Sequence, residues 1–574
     1  MLRVIVALTI GALAASPGNA QPSDPRVDGV FAAWDKPTTP GCALGIVRNG
    51  ILDYAHGYGM ANLELNVPIT PETVFDIGSV SKQFTAMSII LLAQDGKLSL
   101  DDDIHKFIPE LPAYGVPITV RTMLHHLSGL RSYTDLFDLA SVPEIDETTD
   151  DDALTLIARQ KTLNFPPGRQ YLYSDTNYFL LALVVRRLSG ETLREFARRR
   201  IFGPLGMTST HFHDDHRMIV PKRATGYAPR DGGGFEILMS NFEELGDGSV
   251  MTSVMDMVRW DRNFDHPLVG GISGIAQLQE LGIRSDGSKT PYAMGLILDH
   301  YRGIPRVQHT GEWVGYRSSF IRFPEEKLSI IALCNMVGRL DPLGLSEGVA
   351  DIYLNAMKSG TAQATSPVPA SPVPSSAELA SYAGSYWNAE TFTYLRFEAS
   401  PGSLAVEELG DDPLQLRYLG HGVFQGQNSA TRYTFGRTSG EATVELQDDD
   451  SDPVVLKRVT QYGTQRPDYS QYAGTYYNDE LGSSWILAIR DGRIYRKQWM
   501  FPEQALEPVM DDVFAGDLSE GTYALRFSRD AAGQVTGFEV GTTMVRPVRF
   551  SRCIPAPPRV GALAMGCKTI QARP

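Results

Sequence analysis

The stretch FDIGSVSKQFTA, residues 75–86, sets Ser79 and Lys82 three positions apart at the head of an apolar-periodic run. On a helix that spacing puts both side chains on one face. A serine hydroxyl is a poor nucleophile until a neighbour takes its proton, and a desolvated, neutral amine can do so. Gly78 lets other segments approach closely, and a helix start favours developing negative charge. The same letters also describe an ordinary helix start, with a serine cap and a solvated lysine. Two further segments weigh against that plain reading. In FPPGRQYLYSDTNYFLLAL, Tyr173-Ser174-Asp175 forms a polar loop directly before a helix. A tyrosine with a pKa of about 10 is no base at neutral pH, but one beside Lys⁺ is partly ionised. In VQHTGEW, residues 307–313, His309, Thr310, Gly311 and Glu312 lie on a strand edge. Such an edge binds an extended substrate through the main chain and offers an N–H to an oxyanion.

These segments need a scaffold that brings them together. GCALGIVRNGILDYAHGYG, residues 41–59, reads as a hairpin turning at Asn49-Gly50. Phe84, Met87, Ile90 and Leu91 recur at helical spacing, and Gly96 stops the run. Helical patterning continues to about residue 250, and strands return in RVQHTGEWVGYRSSFIRF and LSIIALCNM. Strands at both ends with helices between predict one α/β domain over 25–358. The Pro/Ser/Ala-rich segment 359–376 predicts an extended linker. Beyond it, YAGSYWN at 382–388 is echoed by YAGTYYN at 472–478, each followed by short alternating segments. Two antiparallel β-barrels are expected, over 377–463 and 468–552, before a tail at 553–574.

Length and charge bound the function. A chain of 574 residues is too long for one core. A formal net charge of -15 without a basic run argues against nucleic acid or anionic membranes as partners. Arg3, the apolar stretch Val4–Ala15 and Gly18-Asn19-Ala20 read as a cleavable signal peptide ending near residue 20, too short to span a membrane. A periplasmic or secreted protein is expected. Of the four cysteines, Cys42 and Cys334 lie in apolar strand-like runs and read as buried free thiols, whereas Cys553 and Cys567 bracket a Pro-rich tail that a disulfide would close.

The order S-x-x-K, Y-x-(N/D), H-T-G resembles the penicillin-recognising serine hydrolases, a set related to S-x-x-K, S-D-N and K-T-G. The likeness extends through GYGMANLELNVPITPETVFDIGSVSKQFTA, TVRTMLHHLSGL and GDGSVMTSVMDMVRW. It points to the branch holding class C β-lactamases, D-alanyl-D-alanine carboxypeptidases, esterases and D-aminopeptidases, the last being closest in architecture. The resemblance implies a β-lactamase/transpeptidase-like α/β domain, an antiparallel sheet with a helical subdomain, followed by two small lipocalin-like β-barrels. It implies Ser79 as nucleophile, Lys82 and Tyr173 sharing proton transfer, and Asp175, His309, Thr310 and Gly311 on the substrate. It places the oxyanion between the backbone N–H groups of Ser79 and Glu312, with no cofactor and no metal.

Two departures stand out. Histidine at 309 can be neutral at pH 7, weakening the fixed charge that suits a β-lactam carboxylate. Aspartate at 175 either draws a substrate ammonium or simply pairs with Lys82. The expected substrate is a small peptide-like amide or ester of D-amino acid character. An esterase, a weak β-lactamase or DD-peptidase, and a non-catalytic cell-wall-binding protein are the rivals. The β domains are expected to cap the cleft, form a homodimer interface or tether the protein to a polymer. HFHDDH, with His211, His213 and His216, reads as a polar surface loop, and His125-His126 as a structural loop near the cleft.

Overall fold

The computed structural model describes residues 24–554 except 144, 231, 339, 360–373, 408–412, 427–430, 449–450, 460–467, 498–502 and 519–521, together with 568–569. The signal peptide, most of the linker and Cys567 lie outside the described residues.

The central sheet of the first domain is built from its two ends. Strands β1 (Cys42–Arg48) and β2 (Ile51–Tyr58) join β3 (Ile297–Tyr301), β4 (Ile304–Trp313), β5 (Tyr316–Phe323) and β6 (Leu328–Cys334) in the antiparallel order β3-β4-β5-β6-β1-β2. Asn49 and Gly50 turn the first hairpin with φ of 53° and 73°, the left-handed pair such a tight turn needs. Cys42 stands directly opposite Cys334 in the β1–β6 register, with Cα atoms 4.1 Å apart, and the two form a disulfide. This corrects the expectation of free thiols. Each cysteine looks like a small core residue in its own strand, and only the pairing of distant strands puts one opposite the other.

Between β2 and β3 lies the helical part. Gly78–Ser81 forms a 3₁₀ turn that leads into α1 (Lys82–Gln94). Every residue from Lys82 to Leu92 is buried, so α1 is a central helix surrounded by protein rather than one with a wet face. Its polar side chains are satisfied internally: Thr85 Oγ1 donates to Gly246 O at 2.7 Å, Ser88 Oγ to Phe84 O at 2.8 Å, and Gln83 accepts from Trp260 Nε1. Two further helices frame the site, α2 (Tyr133–Ala140) and α3 (Asp175–Ser189).

The two repeats become two β-barrels. Eight strands from Gly384–Asn388 to Val454–Val459 close into one, and strands from Gly474–Asn478 to Val548–Ile554 curl into a nearly closed second. The repeated letters have one structural purpose. Tyr386 and Tyr476 point inward and donate their hydroxyls to the carbonyls of Tyr382 and Tyr472 at 2.9 and 2.7 Å. Asn388 and Asn478 each tie the first strand to the last, through Val455 O and Arg549 O, both at 2.9 Å. Arg458 and Arg552 reach back from those last strands to Ala383 O and Ala473 O. The motif is therefore a closure device, which explains why it recurs once per barrel.

Candidate active site

Lys82 organises the site. Its side chain is fully buried, and Nζ donates to Ser79 Oγ at 3.0 Å, Asp175 Oδ1 at 2.8 Å and the Asp247 carbonyl at 2.7 Å. Three acceptors surround one nitrogen, and Asp175 is its ion-pair partner. The ring of Tyr173 presents its face to the same nitrogen, with its centroid 4.7 Å from Nζ, and Tyr178 adds a second face at 5.8 Å. Ser79 is half-buried and accessible, whereas Tyr173 and His309 are buried. Residues far apart in the chain thus meet around one charged group.

Asp175 begins α3 and spends both oxygens on its own protein. Oδ1 takes Lys82, while Oδ2 accepts from Ser132 Oγ and Thr134 Oγ1, each at 3.1 Å. Asp175 is thus paired with Lys82. Close by, Asp247 accepts from Tyr133 through Oδ2, and its other oxygen is buried without a partner. Burial, reinforced by the Asp175 charge, pushes Asp247 up to about 7. Burial pushes Asp135, in α2, up to about 7 as well, and its Oδ1 accepts from Thr542 of the second barrel at 2.5 Å.

His309 accepts from Tyr292 at Nε2 (3.0 Å) and donates from Nδ1 to the Thr310 carbonyl at 2.5 Å. Burial pulls its pKa down to about 4, with the Lys82 charge pulling the same way and the Thr310 hydrogen bond opposing. The imidazole is neutral at pH 7. Gly311 lies where β4 meets the nucleophile turn. A Cβ there would lie 1.9 Å from Ile77 O and 2.4 Å from Ser318 Oγ, so glycine serves the docking of β4 onto the nucleophile turn. Gly78, at φ 49°, packs against the same strand, where a Cβ would lie 2.6 Å from Glu312 N. The two glycines bring the backbone of residues 78–79 beside that of residue 312.

Several participants were not singled out from the sequence: Ser132, Thr134, Asp247, Tyr178 and Tyr292. His126, read as a loop residue, stacks on Tyr173 with centroids 4.2 Å apart. Its Nδ1 accepts from the Ser174 amide and from Asn177, each at 3.1 Å. Asp247 lies in GDGSVMTSVMDMVRW, Tyr178 in FPPGRQYLYSDTNYFLLAL and His126 in TVRTMLHHLSGL, stretches that carry the family likeness, whereas Ser132, Thr134 and Tyr292 lie outside all three. HFHDDH is only partly the surface loop expected, since His213 is 6% exposed.

Comparison with known proteins agrees with this geometry. The Beta-lactamase family profile matches residues 28–351, more than half of the chain. The chain belongs to the beta-lactamase family. It is a serine hydrolase of that family. The D-aminopeptidase of Brucella melitensis biotype 2 is 29% identical over 526 residues, covering 89% of this chain and 96% of its own length. That of Brucella anthropi is 28% identical over 531 residues, covering 89% and 95%. The octameric penicillin-binding protein homologue from Pyrococcus abyssi superposes with a TM-score of 0.53 at 23% identity, over 73% of this chain and 96% of that one, a likeness of fold.

Proposed function

We propose that this protein is an exported serine hydrolase that cleaves amides of D-amino acids bearing a free amino terminus, through an acyl-enzyme on Ser79. The observation that carries the reading is the 3.0 Å contact between Lys82 Nζ and Ser79 Oγ inside a buried cage. Ser79 Oγ attacks the substrate carbonyl while its proton passes towards Tyr173, because Lys82 Nζ already donates to three oxygens, Ser79 Oγ among them. Lys82 instead lowers the cost of a phenolate at Tyr173. The N–H groups of Ser79 and Glu312 meet the developing oxyanion. Tyr173 then returns the proton to the leaving amine, and water releases the acyl group from Ser79. Thr310, Gly311 and the adjoining edge of β4 align the substrate backbone beside His309.

The charge balance supports an ammonium-bearing substrate. Lys82 is already paired with Asp175, and neutral His309 adds no positive charge for a β-lactam carboxylate. The likeness to D-aminopeptidases across both barrels supports the same reading. The Cys42–Cys334 disulfide supports export, because such bonds persist in oxidising compartments. No helix among the described residues is long and apolar enough to cross a membrane.

The test is a hydrolysis panel of D-alanine p-nitroanilide, its N-acetyl counterpart, p-nitrophenyl butyrate and nitrocefin. The free amine is expected to turn over about 100-fold faster than the acetylated compound, the loss of a buried charge contact, with Ser79→Ala inactive on both. Equal rates on the two anilides would remove the ammonium reading. Rapid nitrocefin turnover with none of the anilides would favour a β-lactamase.

A further inference from the structure

Away from the nucleophile, three segments of the first domain converge on a group of side chains with no role in the chemistry above. Glu147 precedes the helix Asp150–Ala158, His216 follows the short strand His211–Phe212, and Glu243 lies in the loop that leads to Asp247. One donor atom from each residue lies within 4.8 Å of the other two. His216 Nδ1 is 2.9 Å from Glu243 Oε1.

The backbone holds these residues in register. Thr148 bridges Phe242, and the Glu243 amide donates to the Thr148 carbonyl at 3.2 Å. The His216 amide donates to Glu243 Oε1 at 3.4 Å, and Thr148 Oγ1 binds Glu244 Oε2 at 3.0 Å. This is unlike a solvated acidic patch, whose members are free to move apart. The two glutamates are also poorly neutralised. Among the described residues neither makes a direct ion pair with lysine or arginine; exposed Arg217, bound to Asp215 at 3.1 Å, acts on both only through its charge at longer range. Two carboxylates and an imidazole thus converge with no direct lysine or arginine partner among the described residues.

We propose that Glu147, His216 and Glu243 form a binding site for one divalent transition-metal ion, Zn²⁺ in preference to Ca²⁺ or Mg²⁺. One nitrogen and two carboxylate oxygens make a donor set of borderline softness, with water completing a four-coordinate shell. The ion replaces the hydrogen bond between His216 and Glu243 with two metal–ligand bonds and draws Glu147 in. Its role is to clamp. Glu243 stands four residues before Asp247, whose carbonyl takes Lys82, and Ser249 Oγ ties the end of that loop to Glu244 O at 2.9 Å. A cation here fixes the base of the segment that shapes the Lys82 cage without touching substrate.

The experiment uses the full chain, stripped with a chelator and titrated with Zn²⁺ against a chromophoric competitor, with thermal melting in parallel. One equivalent is expected to bind, and melting is expected to rise with free Zn²⁺ as for any ligand of the folded state. His216→Ala is expected to weaken binding by about 100-fold or more, at the upper end of the losses seen when even supporting residues of metal sites are changed. Glu147→Gln, at an exposed position that tolerates substitution, guards against a folding defect and is expected to weaken binding as well. His211→Gln is expected to bind as the parent does. No saturable uptake, uptake undiminished in both His216→Ala and Glu147→Gln, equal loss in His211→Gln, or saturation by Ca²⁺ but not Zn²⁺ would each overturn the site.

Discussion

The two barrels share a closure motif but sit on the first domain in different ways. The first has a core of its own, in which Tyr386, Phe397, Tyr433, Phe435 and Leu456 pack among themselves. It reaches the first domain through a polar loop: Asp452 accepts from the Tyr171 amide at 3.0 Å, returns a bond to Tyr171 O at 3.0 Å and pairs with Arg284. The core of the second barrel runs without a break into that of the first domain, so that Trp485, Phe538 and Phe550 belong to the same cluster as Leu136 and Leu139. Trp485 Nε1 donates to Leu139 O at 2.9 Å, and the Arg496 guanidinium lies 3.6 Å above the Trp485 ring. Buried Arg131 pairs with Glu480 at 3.2 Å. The contact falls on α2 and the residues just before it, where Ser132 and Thr134 hold Asp175. A shared repeat therefore guarantees a shared barrel, while the residues outside the repeat decide whether that barrel is a neighbour or part of the core.

Deleting residues 468–574 sharpens the contrast most. It strips a continuous core rather than a docked module, so soluble expression is expected to collapse, with turnover per molecule down by about 100-fold or more as the low-stability elements around the site open. A soluble fragment with full turnover on short substrates would show that the shared core is dispensable. Trp485→Ala comes next. A buried tryptophan at such a junction is worth about 3–5 kcal/mol, and both melting temperature and kcat are expected to fall together. A melt that drops while kcat holds would separate the barrel from the site.

On the first barrel the expected effects are smaller. Asp452→Ala removes a polar clasp, with a cost of about 1–3 kcal/mol confined to the barrel's seat, and kcat within about twofold of the parent. A kcat loss matching that of Trp485→Ala would erase the distinction between the barrels.

The smallest effect is one of pH. Burial holds Asp76 and Asp341 near 6, Asp135 and Asp247 near 7 and Glu244 near 8, all in the first domain. These groups keep protons that the unfolded chain has already released, so stability falls as pH rises towards those values. Burial holds His125, His211, His213 and His309 near 4, so they lose stability only as pH drops below the unfolded value of about 6.5. Between pH 6.5 and 8 only the acids act. Melting temperature is expected to decline across that range and level off above it, with Glu244→Gln removing the upper part. A rise over the same range would contradict the buried carboxylates.

Much of this was legible from local order. Asn49-Gly50 announced its hairpin, Ser79 and Lys82 their shared face, and the doubled Y-A-G motif its pair of barrels, because each rests on contacts within a few residues or on backbone preference. The disulfide was not, since Cys42 and Cys334 are neighbours only across two strands from opposite ends of the first domain. Nor was the purpose of Gly311, which depends on Ile77 arriving against it.

The sequence by itself determined the kinds of element, the types of reactive group and the family to which the chain belongs, because spacing and side-chain chemistry are written in the chain. Only the tertiary structure decided that Lys82 meets Ser79, Asp175 and the Asp247 carbonyl, that Asp175 is occupied by its own protein, and that one barrel joins the core while the other docks on it. Those outcomes depend on distances between segments hundreds of residues apart, where burial and opposing charge set the state of each group.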